Sequence, residues 1–197
     1  MIRDLAYANR TCRRFVESGR ISRDDLMALA DLARVTASAG NLQPLKYLLV
    51  HEEADCVRMF PLLGWAAYLS GWKGPAEGER PAAYIVILCD TSISANPGCD
   101  HGIAAQTILL GAREKGLAGA MIGAVNAKGL AKAFSLPDHL NVLLVLALGW
   151  PLEEVVLEPM GADGDIRYWR DDAGVHHVPK RSLEEVVLPA PAPLPEA

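Results

Sequence analysis

The sequence predicts an α+β or α/β sandwich, a sheet covered on both faces by helices. Short runs of strand length alternate with helical patterns along the chain. Several of those runs are apolar throughout, as strands buried on both faces are. With 197 residues, 51% of them apolar, the chain suffices for one substantial core and is short for two.

Taken in order, Arg3 to Asn9 suits a short opening helix. Ser22 followed by Asp25 resembles a capping box with Asp in place of Glu, and Leu26, Leu29, Ala30 and Ala33 then repeat at helical spacing to about Val35. Thr36 to Pro44 is small and polar and predicts a loop, and Tyr47 to His51 a buried strand. Cys56 to Trp72 is aromatic and mixed, helical in part and broken by Pro61 and Gly64. Gly71 to Pro81 predicts a flexible connector, and Ala83 to Cys89 a fully apolar strand. After a loop at Asn96 to Gly98, Asp100 to Lys115 carries the clearest helical pattern. Ile103, Thr107, Leu110 and Gly111 share one face, Asp100 complements the positive end of the helix, and Gly116 stops it. Gly119 to Val125 predicts a strand, Lys128 to Phe134 a short helix, and Val142 to Leu148 another buried strand, while Leu152 to Trp169 is irregular. A single domain over 1–188 is expected, followed by a poorly ordered Pro/Ala-rich tail over 189–197.

The net charge of −5 argues against general nucleic-acid binding, which needs an excess of cations to displace phosphate counterions. Charged residues in the opening segment MIRDLAYANR leave no apolar stretch of the kind a secretory signal needs. The longest apolar run, Val142 to Leu148, is too short to span a bilayer. Cys12, Cys56, Cys89 and Cys99 form no CxxC pair, so a reduced, cytoplasmic protein is expected.

Four clusters are candidates for chemistry. In Asn9-Arg10-Thr11-Cys12-Arg13-Arg14-Phe15, planar guanidinium forks and a short hydroxyl suit a phosphomonoester, although a solvated basic turn looks the same in isolation. In Thr36-Ala37-Ser38-Ala39-Gly40-Asn41-Leu42-Gln43-Pro44, small residues admit a flat ligand close to the backbone, and Ser38, Asn41 and Gln43 supply directional hydrogen bonds. An ordinary loop satisfying its own backbone accounts for the same residues. The third runs from Asp100-His101-Gly102-Ile103-Ala104-Ala105-Gln106 to Ile122-Gly123, where open backbone N–H groups at a strand end suit a ligand beside them; a plain core helix explains the alanines equally well. The fourth is the cationic pair Lys180-Arg181. No GxGxxG follows a strand and no GxxxxGK loop exists. His176 and His177 are adjacent, so on a strand they face opposite ways and chelate poorly; no metal site is expected.

The order and spacing of these clusters resemble the nitroreductase family over about residues 9 to 188, most specifically in SAGNLQP and GIAAQTILLGAREKGLAG. The resemblance implies an α+β three-layer sandwich whose central, mainly antiparallel sheet is covered by helices, in an intertwined homodimer with FMN at the interface. It further implies ping-pong transfer of electrons from NAD(P)H to a flat acceptor such as a nitroaromatic or quinone. By position, Arg10, Thr11 and Arg13 would contact the FMN phosphate and ribityl chain, and Lys180 and Arg181 would close that clamp. Ala37, Ser38 and Ala39, with Gln43 nearby, would line the ring of the neighbouring copy's flavin, and Ile122 and Gly123 would lie by the ring edge. Asn9 stands where many relatives have Arg, Ala37 where Pro is common, and Leu45 where Trp is common. The cofactor carries the chemistry, so no catalytic side chain is nominated. Two alternatives stay open: the same fold with other flavin chemistry, such as dehalogenation or flavin breakdown, and a flavin-binding protein without turnover. Trp65, Tyr68 and Trp72 suit either an acceptor lid or packing between subunits.

Overall fold

The computed structural model describes residues 1–189; the remainder of the predicted tail lies outside the described residues. Contacts group the chain into two compact units, Met1–Glu153 and Glu154–Ala197, each with its own sheet.

The first unit is an α+β sandwich. It contains α1 (Ile2–Ala8), α2 (Arg23–Arg34), β1 (Leu45–Val50), α3 (Glu53–Met59), β2 (Ala83–Asp90), α4 (Asp100–Glu114), β3 (Ala118–Ile122), α5 (Ala127–Ala133) and β4 (Leu140–Gly149). The four strands form one antiparallel sheet in the order β1-β2-β4-β3. Every residue of β2 is buried, because alternate side chains serve two cores. Ala83, Ile85 and Ile87 face α2 and α4, packing with Leu26, Leu29, Ala104, Ile108 and Ala112. Tyr84, Val86 and Leu88 face the other way, toward Met59 of α3 and Leu130 of α5. The sheet is therefore the middle of three layers.

Most of the predicted elements form, with adjusted ends. The Ser22 hydroxyl accepts from the Asp25 N–H at 3.0 Å, capping α2 as its sequence predicts. Ser22→Ala is expected to lower stability by about 1 kcal/mol, measurable as a shifted denaturation midpoint; no shift would remove the cap from the account. Gly116 takes φ +81 just past α4, the left-handed turn that ends a helix. The buried stripe of α4 is Ala104, Ala105, Ile108, Leu109 and Ala112. Of the face that marks the helix in sequence, only Gly111 is buried, in contact range of Leu32, while Ile103 is 38% exposed. Small residues take the inner stripe because α2 and the sheet approach closely there. β3 ends at Ile122, short of the predicted Val125, because the chain then turns to pair Val125 with Leu63.

The second unit holds β5 (Val155–Pro159), β6 (Trp169–Arg170), β7 (His176–Lys180) and α6 (Leu183–Val186). Its three strands, in the order β5-β7-β6, include a parallel β5–β7 pair. Both strands of that pair are short and mostly half-buried, so neither gives a clean periodicity. His176 and His177 face opposite ways, as expected. His176 is buried at 5.2 Å from the Tyr168 ring, whereas His177 stacks on Trp169 at 4.8 Å. Hydrogen bonds from the His177 imidazole to the carboxylates of Glu158 at 2.9 Å and Asp171 at 3.3 Å hold the ring and raise its pKa, the Glu158 bond most.

Candidate functional site

The arginine segment is positioned by its apolar members. Cys12 and Phe15 are buried with Ala118 in a small cluster, which leaves Thr11 exposed and Arg13 half-buried between them. The backbone is tied to the free edge of the sheet: Thr11 bridges Gly119 in parallel, and the Cys12 N–H donates to the Gly119 carbonyl at 3.0 Å. Further on, Phe15 N donates to Glu79 O and Val16 N to Trp150 O, both at 2.9 Å. Gly149 makes room for the Phe15 ring, since a Cβ there would stand 2.7 Å from it.

The three arginines then diverge. Arg14 is engaged by Glu79, with Nε donating to Oε2 at 2.8 Å, and takes no part in an open anion site. The backbone N–H groups of Arg13 and Arg14 both donate to the Glu153 carboxylate, which fixes the turn. Arg10 donates to the Ala6 carbonyl at 2.6 Å, yet its Nε is buried with no hydrogen-bond partner. Burial lowers the pKa of this guanidinium. A buried N–H donor without an acceptor is costly, and an anionic ligand is the kind of group that would remove that cost. Between the arginines, burial and the nearby Glu153 charge push the Cys12 thiol up to about 12, so it is no nucleophile at neutral pH.

Ile122 and Gly123 lie at the far end of the same edge strand. Ile122 is buried, and Gly123 is exposed, with open space where a side chain would stand. From Gly119, beside the arginine segment, to Gly123 the rise of a strand gives about 13 Å, room for an extended ligand with an anionic head and a flat end. Next to Gly123, the Gly64 N–H donates to Ala124 O at 2.7 Å and Asn126 N to Leu62 O at 2.8 Å. This brings an aromatic group to that end of the strand. Phe60 and Trp65 have ring centroids 5.6 Å apart, and Trp65 and Trp72 meet edge-on at 6.5 Å; Tyr68 is exposed.

The Thr36 to Pro44 loop is held from the start of α4. Asp100 is 3% exposed and accepts from the Ser38 hydroxyl at 2.6 Å and the Ala39 N–H at 3.1 Å. The Ser38 oxygen in turn accepts from Gln43 N at 2.9 Å, and Gln43 Nε2 donates to Asn41 O. These bonds stabilise a backbone that turns left-handed at Gly40, Asn41 and Gln43. Ala37 and Ala39 are exposed on this loop, and a cleft of about 220 Å³ opens between Ala37, Ser38, Gln43 and Tyr47. Burial, and then the Asp100 charge, raises the Tyr47 pKa. Asp100 is the positioning residue that the sequence did not single out; an acidic residue opening a helix signals only a favourable dipole.

The loop leads into β1, whereas the arginine segment and Gly123 flank β3, so the two groups sit at opposite edges of the sheet. Three strand spacings, about 14 Å, separate those edges. One chain thus brings together Arg10, Thr11, Arg13, Ile122 and Gly123, and holds Ala37, Ser38, Ala39 and Gln43 apart from them. Lys180 and Arg181 belong to the second unit, where Lys180 is exposed at the end of β7 and Arg181 pairs with Glu185 one helical turn on.

Among the described residues no helix is long and apolar enough to cross a membrane, and no group of His, Cys, Asp and Glu is placed to hold a metal ion. Solved structures share the fold. An FMN-dependent nitroreductase from Clostridium difficile R20291 aligns with a TM-score of 0.64 at 19% identity, over 78% of this chain and 89% of that one. An Exiguobacterium sibiricum structure described as a "putative nitroreductase in complex with FMN" aligns at 0.64 and 16%, over 77% and 89%. In sequence, an Archaeoglobus fulgidus protein named "Putative NADH dehydrogenase/NAD(P)H nitroreductase" is 27% identical over 158 residues, 76% of this chain and 85% of the relative. The model of the Nitroreductase family matches residues 7–72 and 89–150, which include the arginine segment, the Ser38 loop, α4 and the whole of β3. Edge strand, loop and core helix thus carry one family pattern, and the chain belongs to the nitroreductase family.

Proposed function

We propose that this protein is an FMN-dependent oxidoreductase that works as a cytoplasmic homodimer. It takes electrons from NAD(P)H and passes them by a ping-pong mechanism to a flat acceptor such as a nitroaromatic or quinone. The observation that carries this reading is the placement of the Arg10 segment and the Ser38 loop at opposite sheet edges, with a buried, unpartnered Arg10 Nε at the first. The residues fit the cofactor: guanidinium donors for a phosphate at Gly119, and open space for a planar ring at Gly123.

Arg10, Thr11 and Arg13 would hold the phosphate. Ile122 and Gly123 would flank the ring, and Ala37, Ser38, Ala39 and Gln43 of a second copy would cover it. When bound, FMN supplies two-electron redox chemistry that the side chains of this chain do not. The protein's own work is to orient and to exclude water. Asp100 fixes Ser38 and Ala39, and the aromatic group of Phe60, Trp65 and Trp72 shapes the space beside Gly123 toward flat molecules.

Anaerobic NADH or NADPH is expected to bleach the band at about 450 nm of FMN-loaded protein, and a quinone to restore it. Loaded protein that neither nucleotide bleaches would favour a flavin binder without turnover. Arg13→Ala is expected to weaken FMN affinity by about tenfold to a hundredfold with unchanged circular dichroism, the size of a lost charge-assisted hydrogen bond. Flavin retained equally after dialysis would remove Arg13 from the site.

A further inference from the structure

The arginine segment is bound along its second side by the chain that leaves β4. Phe15 bridges Pro151 antiparallel, Val16 N donates to Trp150 O, and Leu152 N donates to Arg14 O, both at 2.9 Å. At Arg13 a side chain takes over from this backbone pairing. Oε1 of the half-buried Glu153 accepts from the backbone N–H of Arg13 and from that of Arg14, the latter at 3.2 Å. Two consecutive N–H groups that converge on one oxygen form a small concavity suited to an anion, and a carboxylate makes both bonds charge-assisted.

These two N–H groups belong to the peptide planes on either side of the Arg13 Cα. Each plane is rigid, so holding both sets the direction in which the Arg13 side chain leaves the backbone. Arg14 is engaged by Glu79, which leaves Arg13 as the side chain whose aim the Glu153 bonds decide. A carboxylate in a segment that meets a phosphate is adverse by charge alone. The balance nevertheless stays positive, because Arg10, Arg13 and Arg14 outnumber Glu79 and Glu153. Charge and positioning therefore predict opposite signs for the loss of Glu153: repulsion relieved would tighten phosphate binding, whereas an unheld Arg13 would loosen it.

We propose, resting on the reading that Arg13 meets the FMN phosphate, that Glu153 is the positioning residue of the phosphate site. It aims the Arg13 side chain through the two backbone N–H groups and does not itself touch the cofactor.

The full chain, freed of flavin, is titrated with FMN and with riboflavin, which keeps the ring and ribityl chain and lacks the phosphate. Glu153→Ala is expected to weaken FMN about tenfold and riboflavin by less than about twofold. Glu153→Gln keeps an acceptor oxygen at the same reach without the charge, and is expected to bind FMN at least as tightly as wild type. Glu153→Asp keeps the charge and withdraws it by one methylene, and is expected to weaken FMN as Glu153→Ala does. The Arg13 and Arg14 amides should exchange faster in Glu153→Ala and Glu153→Asp and stay protected in Glu153→Gln. The Asp and Gln variants retain a polar group at this half-buried position and carry the test if Glu153→Ala does not fold. Equal weakening of FMN and riboflavin, undiminished FMN binding by Glu153→Asp, or Glu153→Gln as weak as Glu153→Asp would each overturn the proposal. Wild-type protein without affinity for FMN would overturn the flavin reading along with it, whereas wild-type affinity beside an undiminished Glu153→Asp overturns this proposal alone.

Discussion

Replacing Phe15 with alanine is expected to lower the stability of the fold by about 3–5 kcal/mol, the range for a buried aromatic side chain reduced to a methyl. The ring is fully buried, packs on Gly149, and forms one cluster with Cys12 and Ala118. The glycine facing it has no side chain to fill the space. The same ring fixes the register of the segment that carries Arg10, Thr11 and Arg13 against Gly119. FMN affinity is therefore expected to fall in protein that is still folded, by more than in a core variant of equal stability elsewhere, such as Ile108→Ala. Urea denaturation and flavin titration on both variants check this. A Phe15→Ala protein destabilised by less than about 1 kcal/mol would show that the segment is held by its backbone bonds alone.

Asp100→Ala is the second large effect. Its carboxylate accepts from the Ser38 hydroxyl and the Ala39 N–H, and both donors lose their partner in the variant. Charge-assisted bonds of this kind put the loss at about 2–4 kcal/mol. The consequence reaches beyond stability, because the left-handed backbone at Gly40, Asn41 and Gln43 is held through Ser38. Released, the loop is expected to exchange its amide hydrogens faster while α2 and β2 stay protected. Flavin affinity should fall with it, and more steeply than in Ser22→Ala. Unchanged exchange across residues 38–43 would show that the loop does not depend on Asp100.

The first unit was largely legible in the sequence, and for identifiable reasons. The all-apolar run Ala83 to Cys89 could only be a strand buried on both faces, and it is the centre of the sandwich. Ser22, Asp25 and the leucines after them marked α2, because caps and amphipathic spacing are local signals. The inner stripe of α4 was harder to see. Its alanines weigh little on a hydrophobicity scale, and they are buried because neighbouring elements come close, which is tertiary information. The short strands of the second unit were missed for a related reason: β5 and β7 are half-buried, and their parallel pairing leaves no hairpin signal. In the candidate site, residue types suggested donors and small loop residues. They did not show that Arg14 is taken by Glu79, that Arg10 keeps an unpartnered nitrogen, or that Asp100 reaches back to Ser38. Those depend on partners 60 or more residues away for Arg14 and Asp100, and on burial for Arg10.

The separation of the two groups of site residues across the sheet gives the most direct test. Arg13→Ala damages the arginine half, and Ala37→Glu sets a carboxylate on the loop half. Each variant alone is expected to bind little FMN. If each flavin sits between two chains, unfolding and refolding the two variants together produces mixed dimers in which one site carries both lesions and the other none. About a quarter of all sites then regain FMN, as random pairing of a two-fold dimer requires. A mixture that stays as colourless as its parents, while wild-type protein treated identically turns yellow, would show that one chain builds the whole site and would contradict the account.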